Sequence, residues 1–316
     1  MTDIWQGNED IDHDVAVYEP ANDDVHRGQL RIAYRVAAEH EGRLLHVHGI
    51  GWFTYTGTRW TEDHHGIAKR CVIQTLKRAL ADSLDDGSLR KDVARCESAS
   101  GIAGVLEIAA ALEEFAATVN DLDADPYLVN VANGTFDLRT ESLSAHSPAD
   151  RITKLTTAAY QPQSSSQAWL NFVAEILPDG MVRGFLQRLI GSALLGKVRE
   201  HVLPILTGEG SNGKSVLMGT IAHALGDYAS TAEPELFMHR EGAHPTGLMD
   251  LMGRRFVSVH ESERDRRLAE ATMKRLVGGD KIKARRMRQD FVEFDPSHTL
   301  FLVTNHLPKV RGDDPA

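Results

Sequence analysis

The densest chemistry in the chain lies at residues 208–215, GEGSNGKS, where Gly208, four residues, Gly213, Lys214 and Ser215 follow in order. That pattern, G-x-x-x-x-G-K-[ST], is one that holds a polyphosphate. Glycines at 208, 210 and 213 allow left-handed backbone and close approach, so that successive N–H groups turn inward. The expected cradle is Gly208, Glu209, Gly210, Ser211, Asn212, Gly213, Lys214, Ser215 and Val216. Within it Lys214 reaches the outer phosphates and the Ser215 hydroxyl ligates Mg²⁺, so ATP and Mg²⁺ are the implied ligands. A carboxylate at the end of a neighbouring strand would complete such a site. RFVSVHESE supplies two, Glu261 and Glu263, after the apolar Phe256, Val257 and Val259, and Glu261 stands at the strand's end. TLFLVT, residues 299–304, is a second apolar strand ending at Asn305, whose amide can position a water or sense the outer phosphate.

A second cluster is purely electrostatic. Residues 281–288 hold Lys281, Lys283, Arg285, Arg286 and Arg288 and no acid. The flanking alternation of Ile282 and Ala284, then Phe291 and Glu293, predicts a β-hairpin with a basic tip. In a chain of net charge −10 this concentration of cations favours contact with a phosphate backbone. The net charge is itself uneven. Residues 1–24 carry eight acids and no Lys or Arg, which marks an acidic arm without periodic structure.

The elements that must position these residues are legible from periodicity. HVLPILT, residues 201–207, is the strand before the loop, and the helix after it is expected to bury Val216, Leu217, Ile221 and Leu225, with Gly226 as its C-cap. A further helix over 266–277 stops at Gly278-Gly279. Upstream, helices are expected over 25–40, 66–83 (Cys71, Val72, Leu76 and Leu80 inward), 89–97 and 101–119. Two hairpins interrupt them, one within 44–63 turning at Thr56-Gly57, the other turning at Asn133-Gly134. After a polar linker at 162–167 come an amphipathic helix carrying Trp169, Leu170, Phe172, Val173 and Ile176, and a helix over 181–195. Trp52 and Trp60 are expected in hairpin packing. Cys71 and Cys96 lack the spacing of a disulfide framework or zinc site. No apolar run reaches the ~18 residues a membrane span needs, and the two unpatterned cysteines make a reducing cytoplasm the expected location.

The order of phosphate loop, HESE strand, LVGGDKIKARRMRQDFVEFDP and TLFLVTNHLPKV resembles the superfamily 3 helicases, in particular the primase–helicases of phages, plasmids and poxvirus-like viruses. GWFTYTGTRW, LVNVANGTFDLRT and FLQRLIGSALLG are similar to the helical accessory region that precedes the motor in that family. The resemblance implies an α/β P-loop AAA+ core over 196–316, preceded by a mainly helical α+β accessory domain over 25–195. It implies an ATP-driven ring, hexameric when complete, that translocates on single-stranded or forked DNA, with a separate primase as possible partner. Lys214 and Ser215 correspond to the loop Lys and Ser, Glu261 to the acidic position, Asn305 to the polar sensor, and 281–288 to the DNA-gripping hairpin, with Arg286 and Arg288 nearest its tip. The family continues past GDDPA into an arginine finger and a last core strand. The chain is therefore expected to be truncated at its C-terminus, with 201–207 left as an apolar edge. A catalytically silent nucleotide- and DNA-binding relic is the alternative expectation.

Overall fold

The computed structural model describes residues 26–234, 245–261, 270–286 and 291–306. The acidic arm lies outside the described residues. The described residues divide into two compact units, one within 26–39 and 71–109, the other within 40–70 and 110–306.

The first unit is built from α1 (Gly28–His40), α2 (Ile67–Asp82), α3 (Gly87–Cys96) and α4 (Ala99–Ala109). Ile32, Val36, Val72, Leu76, Val93 and Val105 fill its core at helical spacing. Asp86 starts α3 by accepting the N–H groups of Ser88 and Leu89, and it also receives buried Arg31 at 2.9 Å. Cys71 and Cys96 are free and buried. Two expectations fail here. Leu80 is 43% exposed, because the inward face of α2 runs through Leu76, Ala79 and on to Ser83, one position to the side of it. The helix expected over 101–119 ends at Ala109.

The second unit explains that early stop. Its first sheet has the order β3-β2-β1-β4, with β1 at Leu44–Val47, β2 at Gly51–Tyr55, β3 at Trp60–Glu62 and β4 at Ala116–Ala117. β4 runs parallel to β1, and the His46 and His48 N–H groups donate to the Phe115 and Ala117 carbonyls. An open sheet edge takes these alanines despite their helical propensity, so tertiary pairing overrides the local preference. The region 44–63 holds three strands rather than one hairpin, because a turn at His48–Ile50 precedes the expected one at Thr56-Gly57. Trp60 is buried, and its indole N–H donates to the Pro148 carbonyl at 2.9 Å. Trp52 stacks edge-on against His46 and Phe115.

A meander follows, β5 (Leu128–Val131), β6 (Gly134–Asp137) and β7 (Ser142–Ser144), then α5 (Gln167–Ile176) and α6 (Gly180–Ala193). Then comes the central sheet, wholly parallel, in the order β8-β13-β10-β9. Its members are β8 (Ile205–Leu206), β9 (Ala229–Ala232), β10 (Phe256–Glu261) and β13 (Thr299–Thr304), with α7 (Lys214–Leu225) and α8 (Glu270–Gly278) among the connections. Strand alternation separates two apolar layers. Phe256, Phe301 and Val303 face α5, α6 and α7 through Leu189, Leu217, Met218 and Ile221. Val257, Val259, Leu300 and Leu302 face Met273 and Leu276 of α8 and the antiparallel pair β11 (Ile282–Ala284) and β12 (Val292–Phe294). Phe256 and Phe301 are fully buried with ring centroids 4.5 Å apart, and each contributes about 1.5–3 kcal/mol by that burial.

A buried polar network ties the meander to this sheet. The Arg255 guanidinium donates to the carbonyls of Leu194 and Leu128 and lies 4.7 Å from the centre of the Tyr228 ring. The Tyr228 hydroxyl accepts the Asn130 N–H at 3.0 Å, and burial pushes its pKa up to about 12. The Arg255, Tyr228 and Asn130 side chains of this network thus each have a partner, which offsets the cost of burying them. No helix among the described residues is long and apolar enough to cross a membrane.

Candidate functional site

The glycine-rich segment connects β8 to α7, so it leaves the C-terminal end of a parallel strand and opens a helix. Left-handed backbone falls at Gly208 (φ +142°), Ser211 (φ +62°) and Gly213 (φ +84°). Gly210 was expected to share that role, but Ser211 takes it. A Cβ at Gly210 would meet nothing within 4 Å, whereas one at Gly213 would lie 2.5 Å from the Ile176 side chain. At 213 both the backbone angle and the pressure of α5 demand glycine.

Gly213 is the N-cap of α7, and the helical ladder begins with the Leu217 N–H donating to its carbonyl at 2.9 Å. The N–H groups just before Leu217 have no intrahelical acceptor, and the positive end of the helix lies beneath them. Lys214 is half-buried, and its ammonium donates to the carbonyls of Gly208 at 2.7 Å and Glu209 at 3.2 Å and to Asn212 Oδ1 at 2.9 Å. The cation thus folds back over its own loop and supplies the positive charge that the carbonyls accept. Ser215 is exposed. Val216, expected in the core, is 59% exposed; Leu217, Met218 and Ile221 carry the buried face instead. Gly226 ends the helix at φ +55°, donating to the carbonyls of Ala222 and His223.

Register places the other expected residues on the same edge of the sheet. Leu206 stands opposite Val303, and Glu261, the last residue of β10, stands opposite Thr304, the last of β13. Strands are spaced about 4.8 Å, so the start of the loop, Asn305 and the Glu261 backbone fall along one edge, the usual ligand position in open parallel sheets. Asn305 is exposed. The Thr304 hydroxyl closes the turn beside it, accepting the His306 N–H at 3.1 Å and donating to its carbonyl at 2.7 Å. β8 is one edge of the sheet, with Val202 44% and Ile205 40% exposed.

The basic segment forms the expected antiparallel pair, with Lys283 opposite Glu293 and Ala284 opposite Val292. Its period of two sorts the charges. Ile282, Ala284, Val292 and Phe294 are buried, while Lys281, Lys283, Arg285 and Phe291 are exposed. Lys281 lies 3.7 Å from Glu293. The Arg285 guanidinium and the Lys283 ammonium sit 4.6 and 5.4 Å from the centre of the Phe291 ring. Arg286 departs from this face. Its guanidinium holds both Glu62 carboxylate oxygens, at 2.6 and 2.7 Å. Those hydrogen bonds hold the Glu62 carboxyl below its usual range against the opposing effect of burial, and raise the pKa of Arg286. Arg288 lies outside the described residues.

Sequence reasoning missed two residues, Phe291 and Glu62. Alternation assigned Phe291 a strand position, but nothing local showed that two cations would flank its ring. Glu62 lies 224 residues from its partner, so no spacing rule reaches it.

Comparison with known proteins matches both halves. Residues 33–178 match the family described as D5 N terminal like, and residues 206–315 a family of unknown function, DUF5906. The candidate helicase L207/L206 of Acanthamoeba polyphaga mimivirus is 30% identical over 203 residues, 62% of this chain and 21% of that protein. The chain is thus similar, over part of its length, to viral proteins named as helicases or primases. The candidate helicase 184R of Invertebrate iridescent virus 6 is 29% identical over 63% of this chain and 22% of its own length. The candidate primase C962R of African swine fever virus (isolate Tick/Malawi/Lil 20-1/1983) is 27% identical over 64% and 22%. The chain thus spans about a fifth of the length of the curated relatives it matches. Among solved structures, the A form of the apo NrS-1 C-terminal region aligns at a TM-score of 0.38 and 15% identity, over 46% of this chain and 35% of that one. That likeness is too slight to build on.

Proposed function

We propose that this chain is the nucleotide- and DNA-engaging part of a P-loop AAA+ motor of phage or plasmid replication. It would hydrolyse ATP with Mg²⁺ to move on single-stranded or forked DNA as a homo-oligomeric ring inside the bacterial host, alongside a primase. The helicase and primase names of its relatives support this reading. The observation that carries it is the shared sheet edge, where a loop with three left-handed residues ends in Lys214 beside the ends of the Glu261 and Asn305 strands.

In this reading the polyphosphate replaces the carbonyls of Gly208 and Glu209 as partner of Lys214, and the N–H groups at the start of α7 point at its oxygens. The residues present suit Mg²⁺ as well, since Ser215 is exposed at the loop's mouth and Glu261 ends the next strand but one. The ion would neutralise charge on the outer phosphates and at the leaving oxygen. Glu261 would orient the attacking water and accept its proton, while Asn305 would hold that water in line. The exposed face of the β11–β12 hairpin would grip the strand, with Lys281, Lys283 and Arg285 on phosphates and Phe291 under a base.

Calorimetric titration of ATP with Mg²⁺ tests the loop assignment. Lys214→Ala removes two charge-assisted contacts to phosphate and should weaken binding at least about 100-fold. Wild-type affinity in that variant overturns the assignment. DNA-stimulated phosphate release by the unaltered chain separates a motor from a silent binder.

A further inference from the structure

Strand parity determines where the fourth cation of the hairpin goes. Residues 281, 283 and 285 face solvent and 282 and 284 face the core, so Arg286 returns to the inward side and meets Glu62 at the end of β3. The two residues help line a cleft of about 280 Å³, which Arg59, Lys154, Asp227 and Arg254 also line. Arg59 pairs with Asp227 at 2.5 Å. The other two cations spend their hydrogen bonds on neutral groups. Arg254 donates to the main-chain carbonyls of Asp250, Asp227 and Ala229, and Lys154 donates to the Thr153 hydroxyl at 2.8 Å. With Asp250 also on its wall, the cleft holds four guanidinium or ammonium groups against three carboxylates. Trp60 and Phe53 add aromatic surface.

A carboxylate and a phosphate present the same two-pronged face to a guanidinium. We propose that this cleft is a second phosphate seat for the strand gripped by the hairpin, and that Glu62 fills the seat while no strand is bound. The proposal rests on the reading of the hairpin as a nucleic-acid contact. Three observations favour an exchangeable pair over a fixed one. The Glu62 side chain is 21% exposed and that of Arg286 41%, so water reaches both partners and can take up the hydrogen bonds that the pair gives up. The seat adjoins the cationic face through the backbone of a single residue, Arg285. Finally, turning Glu62 away from Arg286 leaves four basic side chains against the two carboxylates of Asp227 and Asp250, an excess that an arriving phosphodiester would neutralise.

The test is binding of the full chain to a fluorescent oligothymidylate, followed by anisotropy over a series of salt concentrations. Glu62→Gln should tighten binding about three- to tenfold, because no carboxylate then has to be displaced from Arg286. Adding Arg286→Gln should cancel that gain, and Arg286→Gln alone should weaken binding and lower the slope of log affinity against log salt by about 0.7, one lost phosphate contact on a single strand. A Glu62→Gln chain with wild-type affinity, or with weaker binding, overturns the proposal. Lys283→Gln with Arg285→Gln separates the two readings. If that double variant binds like wild type, the hairpin is not the contact at all. If it weakens while Glu62→Gln is silent, only the second seat is wrong. Should Glu62→Gln lose its thermal unfolding transition, Glu62→Asp retains the charge and shortens the reach, and a smaller gain of the same sign is expected.

Discussion

The glycine-rich loop at the end of the parallel sheet and the basic hairpin on one of its faces both present cations, yet they are built on opposite principles. In the loop the backbone is the working part. Its donors are N–H groups at a helix start, its shape depends on φ at 208, 211 and 213, and its one cation, Lys214, is occupied by the loop's own carbonyls. In the hairpin the backbone is spent on pairing β11 with β12, and the side chains do the work, sorted by a period of two. The loop should therefore be broken by changes in backbone freedom, and the hairpin by changes in charge and ring.

The largest effect that sharpens this contrast is expected at Gly213. Gly213→Ala places a Cβ at φ +84° and 2.5 Å from Ile176. Left-handed strain and overpacking together should cost about 2–4 kcal/mol in chemical denaturation and abolish nucleotide binding. Gly210→Ala is the control, since its Cβ meets open space, and it should stay within about 0.5 kcal/mol of wild type. Equal losses at the two glycines would mean that sequence motif, not backbone geometry, had been read into the loop.

The same contrast explains what was legible in the sequence. The loop and its flanking elements follow from a fixed spacing, and the hairpin from alternation plus charge. What escaped lacks a local signature. β9, ASTA, is short and small-sided and shows no apolar alternation, so only its pairing with β10 makes it a strand. β7 is wholly exposed. The residues past Ala109 look helical until β1 captures Ala116 and Ala117. Val216 reads as core because it sits at helical spacing, yet it lies in the first turn beside the open loop, where no element covers it. Arg286 reads as one more tip cation until parity and a distant carboxylate turn it inward.

An intermediate effect is expected from the hairpin's charges. Lys283→Gln with Arg285→Gln removes two exposed cations from one face. On a single strand this should lower the salt slope by about 1.4 and weaken binding about tenfold at physiological salt. Thermal stability should hold, because neither side chain belongs to the buried layer of Ile282 and Ala284. Slope and stability falling together would show instead that these cations hold the hairpin in place.

The smallest effect distinguishes two uses of one ring. Phe291 is 48% exposed and lies beside Lys283 and Arg285. If it only packs against the stems of those cations, replacing it loosens their placement, and any loss of affinity should come with a shallower salt slope. If it stacks on a base, the lost energy is uncharged. Phe291→Ala should then weaken oligothymidylate binding about fivefold, near 1 kcal/mol for one base, with the slope unchanged, and Phe291→Trp should restore it. Duplex DNA keeps its bases stacked inside and offers no free ring face, so its affinity should be indifferent to Phe291 while still responding to Lys283 and Arg285. A loss shared equally by single strand and duplex would return Phe291 to a packing role and leave the hairpin a purely electrostatic grip.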